Sequence, residues 1–363
     1  MLNASVYLII VLISFFVAAF VFSLLVNSLF LHFSKNLGVR HHNENLIRWS
    51  STTKPAMGGI GFYIIFLISI AATSFIFEPN ERYHNLIFLG FVIAATIAFL
   101  MGLFDDAFNT KVWLKLFAQI TCSVVLIVTG TSIQFFGVWW ADWLLTIIWV
   151  VGMMNSLNML DNMDGISTIV STFILSAFIV LLLIERSFGS PFTIILAGLI
   201  AALLGFLIYN WNPSKMYMGD TGSQFLGFIL AFTGILFIWN GRAAEGEFSM
   251  LRKLVLLAVL YALPLSDTIT VVFKRLRKGR SPFVGGKDHT THHLSYLGLS
   301  DRKVAMVYLF IALVATAAFV YGAMLPAWYW QHYLLFTLLF LAVFVSLFTI
   351  GNLNIHKSDP KSS

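Results

Sequence analysis

The chain has 363 residues, 59% of them hydrophobic and only 10% charged, with a mean hydropathy of +0.88 and a net charge of +6. Water-soluble domains carry roughly 25% charged residues, so this composition excludes a soluble fold and leaves lipid as the main surroundings. The positive balance fits loops held near anionic headgroups and does not call for nucleic acid.

The apolar runs are long and continuous, without the alternation of barrel strands. A lipid-exposed backbone must bond to itself, so these runs predict helices. The expected fold is all-α: one polytopic integral membrane bundle over residues 1–352, then a short polar tail, 353–363. Spans are predicted at 5–33, 58–77, 85–104, 113–130, 138–157, 165–184, 191–209, 222–240, 254–273, 303–325 and 332–352, eleven in all. The first lacks a preceding positive residue and is too long for the core of a cleaved leader. With the N-terminus outside, 17 of the 22 Lys and Arg residues fall in inner segments and five in outer ones. The positive-inside rule selects this orientation and puts the C-terminus in the cytoplasm. Trp139, Trp140 and Trp143, then Trp328, Tyr329 and Trp330, fall at predicted outer ends, where amphipathic rings favour the interface. The lone Cys122 lies inside an apolar run and cannot close an intrachain disulfide. No internal repeat of the transporter kind is visible.

The acidic residues sort as the cations do. Asp105, Asp106, Asp161, Asp164, Asp220 and Asp288 fall at inner helix ends or inner loops, while Asp142 and Asp267 fall within spans. The third span ends in Gly102-Leu-Phe-Asp105-Asp106, followed by Lys111 and Lys115. Adjacent carboxylates at a membrane boundary repel, so a cation must hold them or one must keep its proton and can serve as a base. Taken alone, the pair also reads as interface acids matched by a lysine.

The run from Asn155 through Asn158 and Asp161 to Asp164-Gly165 repeats an amide or carboxylate every third residue. A step of three turns back by about 60° on a helix, so the run must leave the helix end and line a concave wall. So many polar groups beside lipid are costly unless they bind something polar; a polar cap facing water is the plainer reading. Between spans seven and eight lies Asn210-Trp-Asn212-Pro213-Ser-Lys215-Met-Tyr217-Met-Gly219-Asp220-Thr-Gly222-Ser223. A turn of this kind at a helix start offers free N–H groups to a phosphate and a carboxylate to Mg²⁺, or serves simply as a cap. The longest inner loop begins with Lys274, Arg275, Arg277, Lys278 and Arg280 and ends with Asp288, His289, His292 and His293. Its histidines lack the ligand spacing of a zinc site and suit phosphate contact or proton transfer. His32, His41, His42, His84, His332 and His356 have no comparable setting and are expected in solvent. The inventory is that of a phosphoryl group carrying a metal, handled at a lipid boundary.

These four motifs, in this order, resemble those of the polyprenyl-phosphate N-acetylhexosamine-1-phosphate transferases, most closely the bacterial undecaprenyl-phosphate GlcNAc-1-phosphate type. The resemblance implies transfer of GlcNAc-1-phosphate from UDP-GlcNAc to undecaprenyl phosphate, releasing UMP and starting a cell-envelope glycan at the cytoplasmic membrane. It implies Mg²⁺ (or Mn²⁺) held by Asp220 with Asn158, and a catalytic set of Asp105 as base, Asp106 in support, Asp161, His292 and His293. It further implies a nucleotide side made of Lys115 on the pyrophosphate, Asn155, Asp164 on the uracil and Tyr217 stacked on it. The implied partners are the UDP-sugar, the lipid phosphate, membrane lipids and a second copy in a homodimer. The chain departs from the family pattern at Asn162, where glycine is usual, at the His-Thr-Thr-His-His loop, and at Ser50, where a histidine is usual before Pro55-Ala-Met-Gly58-Gly59. Arg48 and Lys54 are further candidates for nucleotide contact. Phospho-MurNAc-pentapeptide transfer is an alternative, though the triple-histidine run of that sister group is missing. An ion-coupled transporter using Asp267 and the Asn/Asp wall is the alternative of a different class.

Overall fold

The computed structural model describes residues 4–34, 54–76, 86–184, 190–243, 246–281 and 286–353. Arg48, Ser50, His41, His42, His84, His356 and nearly all of the polar tail lie outside them. In chain order the helices are α1 (Ala4–Ser34), α2 (Gly58–Ile76), α3 (Leu86–Phe108), α4 (Val112–Val128), α5 (Trp139–Leu160), α6 (Ile166–Ile184) and α7 (Pro191–Asn210). They continue with α8 (Gly219–Gly234), α9 (Met250–Leu260), α10 (Ala262–Arg277), α11 (Thr290–Tyr296), α12 (Asp301–Met324) and α13 (Trp330–Asn352). A π-helical turn, Ile235–Trp239, prolongs α8. The only named strands among the described residues are a two-residue pair, Arg242–Ala243 with Gly246–Glu247.

Among the described residues, nine helices are long and apolar enough to cross a bilayer, or ten if α9 and α10 count as one broken span. Every predicted span therefore has a helical counterpart, with two differences. The 17-residue α4 is apolar but shorter than a full crossing. The ninth span, expected as one rod over 254–273, is instead α9 and α10 meeting at Tyr261 with an 82° bend. Pro264 lies in the first turn of α10, where its missing N–H costs no helical bond, so the local sequence favours a fresh helix start.

The centre of the bundle is α8, packed by α2, α3, α5 and α6 and buried over almost its whole length. Small residues permit this. A Cβ on Gly102 of α3 would stand 2.3 Å from the Asp220 carbonyl oxygen, and one on Gly59 of α2 would stand 2.2 Å from the Gly222 nitrogen. Both contacts are to backbone that cannot yield, so glycine is what brings the starts of α2 and α8 and the end of α3 together. Further along α8 the packing turns aromatic, with Phe91 stacked on Phe232 at 4.3 Å. At the periphery, α1 and α13 present exposed Leu, Ile, Val and Phe side chains, the surface that hydrocarbon requires.

Asp142, expected inside a span, lies in the first turn of α5 and accepts the N–H groups of Phe135 and Phe136 at 3.0 and 2.8 Å. It ties down the preceding loop. His332, expected free in solvent, caps α13 by accepting the Tyr329 N–H at 3.0 Å. His32 is exposed near the end of α1.

Candidate active site

One end of the bundle gathers the end of α3, the start of α4, the end of α5, the start of α8 and the loops after α5 and α7. At its centre is Lys115, one turn into α4. Its ammonium lies 2.6 Å from Asp105 Oδ2 and 2.9 Å from Asp220 Oδ2, bridging acids 115 residues apart in sequence. Asp105 is buried, and its other oxygen accepts the Thr110 N–H at 2.8 Å and the Thr110 hydroxyl at 2.5 Å. Asn158 donates to Asp220 Oδ1 at 2.7 Å and to the Ser223 hydroxyl at 2.9 Å. The adjacent acids are thus matched by a cation, and the same cation reaches the third acid.

Asp106 does not assist Asp105 directly. It accepts the Thr221 N–H at 2.9 Å and the Thr221 hydroxyl at 2.6 Å, holding the first turn of α8. Gly219 just before it has φ +76°, and a Cβ there would lie 2.6 Å from Asp106 Oδ2. The Gly-Asp turn is therefore capped by a side chain from α3, and one N–H expected to be open for phosphate is already used.

The Asn/Asp wall divides into two parts. Asn155 donates to Gln119 Oε1 at 2.7 Å, and Gln119 donates in turn to Gln224 Oε1 at 3.0 Å, a buried amide chain running inward from Lys115. Asp161 follows α5, half-buried, and accepts the Ser167 hydroxyl at 2.5 Å. Burial, followed by the charges of Asp106 and Asp164, pushes its carboxyl up to about 6 against the effect of the Ser167 bond. Asp164 is taken up by the loop after α7: it accepts Asn212 Nδ2 at 3.0 Å, the Ser214 N–H at 2.9 Å and the Ser214 hydroxyl at 2.7 Å, with Lys54 at 3.8 Å. Tyr217 joins the segment before α2, donating its N–H to the Pro55 carbonyl at 2.9 Å, while the Lys54 ammonium sits 5.0 Å from its ring centre. Lys54, Asp164, Ser214 and Tyr217 thus form a second polar cluster beside the first.

The histidines occupy α11 and its start. His289 and Thr290 contact Asp267, His293 Nε2 lies 2.6 Å from the Lys274 ammonium, and Asp288 pairs with Arg275 at 2.7 Å. Burial draws His292 down to about 3, and burial with Lys274 alongside draws His293 to about 4, so both rings are neutral at pH 7. Burial alone would raise the Asp288 carboxyl, but the Arg275 guanidinium holds it below the usual range. The α11 segment meets the wall at Asn162, which accepts the Thr291 hydroxyl at 2.6 Å. The asparagine at the departure from the family pattern is a tether between the wall and the histidine helix.

Sequence reasoning missed Thr110, Gln119 and Gln224. Gln119 carried a usable signal: it is a polar residue in an apolar helix, one turn after Lys115. Thr110 gave none, because loop threonines are common. Among the described residues no three His, Cys, Asp or Glu side chains form a metal-binding group on their own. The donor chemistry around Asp220 nonetheless fits a hard divalent ion: carboxylate, amide and hydroxyl oxygens lie together, and an ammonium already sits between two of the carboxylates. Magnesium sites of this kind use one or two carboxylates and complete their shell with water and substrate phosphate.

The family description "Glycosyl transferase family 4" matches residues 88–238, the segment that contains Asp105 through Asp220. A probable undecaprenyl-phosphate N-acetylglucosaminyl 1-phosphate transferase of Bacillus subtilis is 29% identical over 266 residues, 70% of either chain. A decaprenyl-phosphate N-acetylglucosaminephosphotransferase of Mycolicibacterium smegmatis is 28% identical over 290 residues, covering 73% of this chain and 71% of that one. A phospho-N-acetylmuramoyl-pentapeptide-transferase of Desulforamulus reducens is 28% identical over 310 residues, 77% and 85% of the two chains. The carboxylates joined by Lys115 come from two ends of the matched segment, so the similarity to glycosyl transferase family 4 falls on the residues of this site.

Proposed function

We propose that this protein transfers N-acetylglucosamine-1-phosphate from UDP-GlcNAc to undecaprenyl phosphate, forming the pyrophosphoryl-linked lipid sugar and releasing UMP. The observation that carries the reading is Lys115 held between Asp105 and Asp220, with Asn158 on the same carboxylate, at one end of an apolar bundle. A phosphate attacking a diphosphate must overcome charge repulsion, so the catalyst's main work is neutralising and aligning the reactants. In this reading Lys115 turns from the two carboxylates to the diphosphate. Its departure frees Asp105 Oδ2 to take a proton from the lipid phosphate, whose oxygen then attacks the sugar-bearing phosphorus as the bond to UMP breaks. Asp106 fixes the start of α8 so that Asp220 stays aimed at the diphosphate, and Asp161, His292 and His293 complete the wall around it. Asp220, with Asn158, would hold Mg²⁺, which when bound neutralises the diphosphate and the departing UMP. Lys54, Asp164 and Tyr217 form the nucleotide side, with Asn155 kept in place by Gln119.

Loop charge supports an N-terminus outside and a cytoplasmic polar end, with α4 and the broken α9–α10 pair bringing the spans to eleven. Relatives of both GlcNAc and phospho-MurNAc-pentapeptide type support the same chemistry, and the missing triple-histidine run favours the simpler donor. The transporter reading is weakened because Asp267 is occupied by His289 and Thr290. The test is UMP release by the purified full chain with undecaprenyl phosphate, offered UDP-GlcNAc, UDP-GalNAc or UDP-MurNAc-pentapeptide, in Mg²⁺ or in EDTA. UDP-GlcNAc turnover that stops in EDTA is expected. Turnover with the pentapeptide donor alone selects the alternative, and no release from any donor refutes the reading.

A further inference from the structure

We infer that Asp267, buried in α10 and outside the phosphate-handling cluster, is a positioning residue that sets the histidine helix against the Asn/Asp wall. The inference rests on the proposed transfer and extends it to how α11 is held. Asp267 is fully buried, a costly place for a carboxylate in a membrane protein unless donors surround it. Its Oδ1 accepts the Thr290 N–H at 2.8 Å and the Thr290 hydroxyl at 2.6 Å, and its Oδ2 lies 2.8 Å from His289 Nδ1. An ionised carboxylate only accepts, so His289 carries its proton on Nδ1. Thr290 has spent its single hydroxyl proton on Asp267. The Tyr308 hydroxyl, 2.7 Å away on α12, must therefore donate to it. Three elements meet at one carboxylate.

The part held this way cannot hold itself. The α11 helix has seven residues, too few to be stable without tertiary anchors. Two further anchors come from α10: Arg275 makes two bonds to Asp288, at 3.0 and 2.7 Å, and Lys274 meets His293. From this platform Thr291 donates to Asn162 Oδ1 at 2.6 Å. Asn162 stands between Asp161 and Asp164. The position of the wall therefore depends, through α11, on Asp267.

The experiment uses the full chain purified in detergent, comparing Asp267→Asn, Thr291→Val, Thr291→Ser and the double variant Asp267→Asn/Thr291→Val. Losing one donor or acceptor of a charged or buried bond predicts about 10- to 100-fold lower kcat/KM for Asp267→Asn and about tenfold lower for Thr291→Val. Thr291→Ser keeps the hydroxyl and should restore turnover. The double variant should be no slower than Asp267→Asn, because a released α11 has already lost the Thr291 contact. Amide exchange of residues 290–296 should accelerate in Asp267→Asn while that of α3 and α5 stays unchanged. Losses that multiply in the double variant, or wild-type kcat/KM and exchange in Asp267→Asn, overturn the inference. Should Asp267→Asn fail to fold, His289→Leu against His289→Gln reads the same contact, and equal activity of the two overturns it. If wild-type protein transfers nothing from any UDP-sugar, the reaction reading falls while the exchange comparison still decides the role of Asp267.

Discussion

Replacing Lys115 by methionine removes one charge while keeping a side chain of similar length. Asp105 and Asp220 would then face each other without the ammonium that now lies 2.6 and 2.9 Å from them. Breaking a buried ion pair costs about 3–5 kcal/mol. Asp105 is almost fully buried, but Lys115 and Asp220 keep 23% and 30% of their side-chain exposure, so the stability loss should fall near or below the bottom of that range. The catalytic loss is larger in consequence, because Lys115 is the group proposed to meet the diphosphate. Deleting one preorganised electrostatic donor costs about 10²- to 10³-fold in kcat. UMP release at saturating UDP-GlcNAc and undecaprenyl phosphate measures it, with a thermal melt of the same sample to show that the protein is folded. A folded Lys115→Met protein whose kcat stays within about threefold of wild type would refute the assignment, since an effect of that size is ordinary surface electrostatics.

Asp105→Asn should lower kcat while leaving UDP-GlcNAc affinity in calorimetry nearly unchanged; a large loss of affinity would move Asp105 to the nucleotide side. Gly102→Ala should destabilise the bundle by about 1–3 kcal/mol, the usual cost of overpacking, because the new methyl group meets the Asp220 backbone. An unchanged melting temperature would contradict the close α3–α8 contact. His292 and His293 are held at about 3 and about 4 when folded, against about 6.5 unfolded. Between those values the unfolded chain binds more protons, so their contribution is complete above about pH 6.5 and is lost as pH falls toward 4. Melting temperatures from pH 4 to 8 should show this acid decline in wild type and a flatter one in His292→Gln/His293→Gln; parallel curves would place the rings in solvent.

Much of the fold was legible because lipid imposes a simple rule: a long apolar run must become a helix. Every predicted span met one. The break at Tyr261 escaped because hydropathy is blind to direction, although Pro264 marked the restart. The convergence of Asp105, Asn158 and Asp220 was anticipated from motif order and topology, since polar groups beside lipid must find polar company. Individual contacts were not. That Asp106 would cap α8 and Asp164 would serve its neighbouring loop depends on distances of a few tenths of an ångström between helices far apart in sequence. Gln119 and Thr110 matter only through partners that no local pattern names. Asp267 showed the limit from the other side: as an intramembrane acid it suggested an ion path, whereas its neighbours His289 and Thr290 make it an anchor.

The central claim is that acids from α3 and α8 meet in one Mg²⁺-dependent site that joins a sugar phosphate to a lipid. Membranes carrying wild-type or Asp220→Ala protein, incubated with UDP-[¹⁴C]GlcNAc, undecaprenyl phosphate and Mg²⁺, test it most directly. Wild-type membranes should yield a radioactive pyrophosphoryl lipid and Asp220→Ala membranes none; equal labelling by the two would contradict the account.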